Sequence, residues 1–294
     1  MNIQSNQKAI LAAFFCNFFW GLSFLASRIA LNEAQVSVLL SHRFLVAFLV
    51  MSIYVLLGHA DFHLRGKSLV PLLLLGLMQP VVYFIGEQYG ILHSTTIFSG
   101  VMISIIPIAG ILAAIPVLKE FPTMRQMAFI LLSVGGVIGI GLMSQSSGSL
   151  DWIGVVALLI AVSAAVTYTL LNRNISGVYS DFERTYVMMA VGAAVFTVMA
   201  AVDVKGDPSA YLRPLTNIQY AAALLYLGVF CSVICFFLSC YSLTRLSVAR
   251  ATVFANLTTT VSVLAGAMVL HEPLTVGGAV CCVMILVGIY GVQR

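Results

Sequence analysis

The run PVVYFIGEQYG, residues 80–90, is apolar except around one carboxylate, Glu87. Gly76, Gln79, Tyr83, Glu87 and Gly90 recur every three or four positions, so they share one face of a helix. Other apolar runs carry similar stripes: Asn17, Trp20, Phe24 and Arg28; Thr96, Ser99, Gly100, Ser104 and Pro107; Thr252, Asn256 and Thr260. Amides and carboxylates turn away from hydrocarbon when a bundle interior is available, so the four stripes predict a shared polar interior. There Glu87 receives the cationic or amino group of a solute, or binds a coupling proton. Tyr83, Gln79, Trp20, Asn17 and Asn256 are candidates to line the same cavity. Two alternatives stand beside this reading. Small residues such as Gly76 and Gly90 are the usual contact points of membrane helices. Arg28 and Arg43 fall at the depth of Glu87, as does His42, and either arginine suits an ion pair or a gate. Pro80 removes a helical hydrogen bond and kinks its helix, and Pro107 predicts a second irregular helix beside it. Such breaks line cavities, bend during gating, or serve packing alone.

The elements that must position these residues follow from composition. Of 294 residues, 61% are hydrophobic and 8% charged, with mean hydropathy +1.06, where soluble domains carry about 25% charged residues. A bilayer core takes about 20 apolar residues per helix. Ten runs qualify, near 9–31, 36–57, 68–90, 95–117, 123–143, 151–171, 184–203, 217–239, 247–270 and 274–292. The connections are too short to hold a further domain, and no removable signal peptide is apparent. With the N-terminus inside, ten Lys and Arg fall on the cytoplasmic side and four on the other, which predicts cytoplasmic termini. The net charge of +4 reflects that bias and points to no nucleic-acid partner. Six cysteines lie in apolar runs without metal-type spacing; Cys231 and Cys235, one turn apart, permit a soft metal, yet buried thiols also serve as small hydrophobes. No metal or cofactor is assigned. GGVIGIGL (135–142) lacks the Gly-Lys-Ser/Thr of a nucleotide-hydrolysis loop.

The chain also repeats itself. Residues 88–123 align without gaps on 240–275, pairing Tyr89 with Tyr241, Leu118 with Leu270, Glu120 with Glu272 and Thr123 with Thr275 at one offset of 152. Five spans per repeat is an odd number, so the second copy enters the membrane from the opposite side. The expected units are 1–144 and 150–294, with a solute site between them near the bilayer midplane. Glu87 is matched by Ser239, so the carboxylate is one-sided, which favours a solute or coupling role. Its position about 10 Å beyond Pro80 places it nearer an outer gate than the centre. The duplicated Glu120 and Glu272 read as caps and loop organisers.

FFWGLSF (18–24), LLSHRFLVAFLV (39–50), LKEFPT (118–123) and LHEPLT (270–275) resemble the drug/metabolite transporter superfamily, EamA type, over essentially the whole chain. The resemblance implies an all-α membrane protein of ten helices in two five-helix inverted repeats, in a bacterial plasma membrane. It implies a secondary transporter of a small metabolite, such as an amino acid, amine or nucleobase, with export the favoured direction and a proton gradient, exchange or the solute's own gradient as driving force. Import or exchange of an organic cation or nucleobase-like solute is the alternative. A membrane enzyme would need a clustered nucleophile–base or metal set, and the histidines are scattered; a non-transporting sensor lacks a soluble effector domain. A monomer suffices for this architecture. Two departures make the interior asymmetric: Trp20 has no partner in VSAAVTY (162–168), and Pro107 is matched by Thr259.

Overall fold

The computed structural model describes residues 3–58, 63–93, 102–103, 105–143, 152–205, 207–269 and 276–294. All regular structure among them is helical. The elements are α1 (Ile3–Leu31), α2 (Val36–Leu56), α3 (Val70–Gly76), α4 (Tyr83–Leu92), α5 (Ile106–Leu118), α6 (Met124–Met143), α7 (Trp152–Ile175) and α8 (Asp181–Asp203). They continue with a short α9 (Pro208–Leu212), α10 (Ile218–Leu225), α11 (Cys235–Arg245), α12 (Val248–Thr252), α13 (Ala255–Val269) and α14 (Val276–Gln293). Seven described helical stretches are long and apolar enough to cross a membrane, and Ile106–Leu118 and Met124–Ile140 are shorter apolar helices. The stripe residues Thr96, Ser99, Gly100 and Ser104, with Glu272, lie outside the described residues.

The distribution of polarity is that of a bilayer protein. Leu49, Ile53, Val202, Val276 and Val283 stand exposed on the outside, whereas Asn17, His42, Arg43, Glu87, Arg184 and Asn256 are buried. Hydrocarbon makes the outward apolar face neutral and the outward polar face costly. Helix ends carry local signals. Ser180 and Glu183 form a capping box at the start of α8. Asn217 accepts from Gln219 N–H and Tyr220 N–H ahead of α10. Asp207 caps α9 through the N–H and hydroxyl of Ser209, which hold its carboxyl below the usual range.

In two spans a π-helical stretch breaks the α-helical run, and only the first of them leaves helical geometry. Between α3 and α4 the chain takes a π-helical path over Leu77–Val82, where Gln79 leaves helical geometry (φ −143°, ψ 120°) and the Gln79–Pro80 peptide is cis. Between α10 and α11 a second π-helical path runs over Tyr226–Ile234. No proline stands there; the Ser232 hydroxyl donates to the Leu227 carbonyl, five residues back, at 3.0 Å. The two paths end at Val82 and Ile234, separated by the same 152 residues as the repeat. Pro107 sits in the first turn of α5, where its missing N–H costs no helical bond.

Packing treats the two halves alike. α1 lies on α11 and α13, as α7 lies on α4 and α5; α2 lies on the 226–234 break, as α8 lies on the 77–82 break. α2 with α8 and α6 with α14 complete the set. Glycines permit the closest approaches. A Cβ on Gly288 would stand 2.6 Å from the Phe129 carbonyl oxygen, and one on Gly86 would stand 2.8 Å from that of Ala157, so α6–α14 and α4–α7 pack backbone to backbone.

Candidate functional site

The first break and α4 carry three of the candidate residues. One turn separates Tyr83 from Glu87, and the phenol donates to Glu87 Oε1 at 3.0 Å. The carboxylate is 8% exposed. Tyr83 packs with Ile106 of α5 and Val162 of α7, which seats the pair where α4, α5 and α7 meet. Gln79 is half-buried inside the break, and buried Pro80 abuts Gly192 of α8.

Arg43 comes to the same region from α2. Its Nε donates to Ser232 Oγ at 2.8 Å, and its guanidinium carbon lies 5.1 Å from the centre of the Phe84 ring, within cation–π range. Arg43 therefore bridges the second break to α4. It is 5% exposed. The ion pairs among the described residues do not include one between Glu87 and Arg43. The side chains of Arg28 and Phe24 lie outside the described ones.

The remaining candidates tie helices together. Asn17 Nδ2 donates to the Ala13 carbonyl at 2.8 Å, and Thr258 donates to Asn17 O at 3.4 Å, linking α1 to α13. Asn256 Nδ2 donates to Ser133 Oγ at 3.1 Å, linking α13 to α6. Trp20 Nε1 donates to the Cys231 carbonyl at 3.0 Å, inside the second break, while its ring stands edge-on to Phe236. The structure thus gathers Glu87, Tyr83, Arg43, Gln79 and Pro80 around two broken helices, with Trp20 bonded to the second.

Ser232 and the Cys231 carbonyl belong to this constellation and escape a motif search. Their signal is positional: Gln79 and Pro80 map onto Cys231 and Ser232 at the offset of 152. His42 adds a further polar ring. Its Nδ1 shares a 2.7 Å hydrogen bond with the Tyr220 hydroxyl, and its buried Nε2 has no partner. The described residues hold no group of three or more His, Cys, Asp or Glu arranged for a metal ion, and all six cysteines are free and buried.

What two interrupted membrane helices and a polar interior are for is decided by kinship. Residues 7–142 and 152–294 match the EamA-like transporter family. The chain belongs to that family, and with it to the drug/metabolite transporter superfamily. It is 33% identical over 291 residues to the uncharacterized transporter YcxC of Bacillus subtilis (strain 168), covering 96% of this chain and 92% of the relative. An uncharacterized transporter of Archaeoglobus fulgidus is 24% identical over 276 residues, 94% of this chain and 95% of its own. A solved crystal structure shares the fold at TM-score 0.79, with 18% identity over 97% of this chain and 96% of that one. This EamA protein is an integral, multi-pass membrane protein.

Proposed function

We propose that this EamA protein is a secondary transporter of a small organic metabolite, working by alternating access between two inverted five-helix repeats, 1–144 and 150–294. Ten spans then cross the bilayer with both termini in the cytoplasm, in keeping with the bias of Lys and Arg, and export is the favoured direction. Three observations support the repeats: the offset of 152, the broken segments ending at Val82 and Ile234, and helix pairings that exchange when the halves are exchanged.

The reading of the site rests chiefly on one observation. Arg43 and Glu87 are both buried, of opposite charge and beside broken helices, yet they are bonded to Ser232 and Tyr83 instead of to each other. An intramembrane charge is costly to maintain and is therefore a mark of function. In this reading Glu87 takes the cationic or amino group of the solute or a coupling proton, Arg43 takes an anionic group or acts in gating, and Gln79 and Tyr83 line the path between. The deciding measurement is a thermal-shift screen of the purified protein against amino acids, amines and nucleobases, since a bound solute stabilises by mass action. Solutes that raise Tm are then tested for transport in proteoliposomes, with internal pH recorded for proton coupling. Stabilisation by none of the three classes overturns the solute reading.

A further inference from the structure

At one end of the protein the connections 119–123, 176–180 and 246–247 meet, and their charges form a connected set. Glu120 accepts from the Val248 N–H at 2.8 Å and pairs with Arg173 at 3.3 Å. Arg173 in turn donates to the carbonyls of Leu243 and Thr244, the last turn of α11. Asp181 pairs with Arg245 at 2.9 Å, and Arg245 lies over the Tyr241 ring. Arg184, fully buried, donates to Asn172 and Asp181 and reaches Thr244 Oγ1 at 2.7 Å. The set therefore has a fixed part and a releasable part. Arg184 holds α7 to α8 out of reach of water, and its one bond to α11, to the Thr244 hydroxyl, is the buried contact that must yield when α11 moves away. Arg173, Glu120 and Arg245 keep 25%, 23% and 30% of their side chains exposed, and partly exposed ion pairs release at small cost.

The geometry points to a latch: Glu120–Arg173 and Asp181–Arg245 hold the ends of α5, α11 and α12 against the α7–α8 pair, closing this face, and their release opens it. Directly beneath the latch lies a native reporter. Cys240, one turn inside α11, is fully buried and covered by Asn172 at 3.3 Å, Thr185 at 3.6 Å and Tyr168 at 3.9 Å. Each of these partners stands on α7 or α8, so separating α11 from them uncovers the thiol. The latch rests on the transporter reading, but its test reads thiol exposure and not transport, so the two can fail separately.

The experiment is maleimide modification of the full-length protein in detergent, followed at each cysteine by peptide mass spectrometry. Glu120→Gln and Arg245→Gln, which leave Asp181 to Arg184, raise the modification rate of Cys240 about tenfold or more by favouring the local opening. Cys281, buried between α6 and α14, keeps its rate and reports an intact fold. Lys67→Gln removes an ion pair with Glu183 that does not touch α11 and leaves Cys240 protected. Should either latch variant fail to fold, Arg173→Gln is measured in its place. Unchanged protection of Cys240 in the latch variants overturns the proposal, as does a rise at Cys281 in step with Cys240.

Discussion

Arg43 and Glu87 hold opposite charges in one buried region, and each is hydrogen-bonded to a neutral side chain, Ser232 for the guanidinium and Tyr83 for the carboxylate. An ion pair between them would have satisfied both at lower cost to the bilayer. Keeping them separate leaves both charges for something that is not part of the chain.

Glu87→Gln keeps the shape and most of the hydrogen bonding of the carboxylate while removing its charge. Transport falls by an order of magnitude or more, with normal expression and little change in Tm. Uptake or efflux in proteoliposomes, paired with thermal unfolding, checks both halves of this statement. A variant that transports at the parental rate would sink the solute and coupling roles of Glu87 together.

Ser232→Ala removes the acceptor of Arg43 and the donor to Leu227 in one step. Hydrogen bonds between membrane helices contribute about 0.5–2 kcal/mol each, so Tm in detergent drops by several degrees. Ser163→Ala, whose hydroxyl is exposed and only bonds back to Leu159 of its own helix, leaves Tm within about a degree of the parent. Equal effects of the two substitutions would show that Ser232 does not hold the second break.

Arg184→Met strips the fully buried hub of its bonds to Asn172, Asp181 and Thr244. Removing one member of a buried charged network costs about 3–5 kcal/mol, enough to abolish folded protein or lower Tm steeply. Fluorescence-detected gel filtration and thermal unfolding read this out, with Arg294→Met, whose guanidinium bonds the exposed Tyr290 hydroxyl one turn back, costing about 0.5 kcal/mol or less.

Gly288→Ala forces a methyl group against the Phe129 carbonyl oxygen and Ser133. Overpacking of this kind costs about 1–3 kcal/mol and loosens α14 from α6. Gly177→Ala, in open space, stays within about 0.5 kcal/mol of the parent. The comparison of the two melting curves tests whether the α6–α14 contact depends on glycine.

The membrane-spanning character is legible in sequence because hydrocarbon imposes length and apolarity on each segment independently of its neighbours. The first break is legible for a similar reason: Pro80 carries its own signal. The second is not, since no proline marks it, and only the offset of 152 points to it. Asn17 and Asn256 show a different limit. An amide on an interior face reads the same whether it lines a cavity or ties helices; Asn17 bonds back to Ala13 of its own helix, and Asn256 reaches Ser133 of α6. The charged latch is hidden for yet another reason. Glu120 and Arg173, or Asp181 and Arg245, are more than 50 residues apart in sequence, and nothing local in either announces the other.

The two interruptions also differ in kind. Pro80 has no amide hydrogen, so whatever conformation the chain adopts, one rung of that helix stays missing. Every residue from Tyr226 to Ile234 retains its N–H, and the Ser232 hydroxyl within it serves both the Leu227 carbonyl and Arg43. One bend is therefore written permanently into the backbone. The π-helical stretch at 226–234 keeps every donor that a regular α-helix needs, and a change in pitch there would rotate everything beyond it, including Cys240 and Arg245.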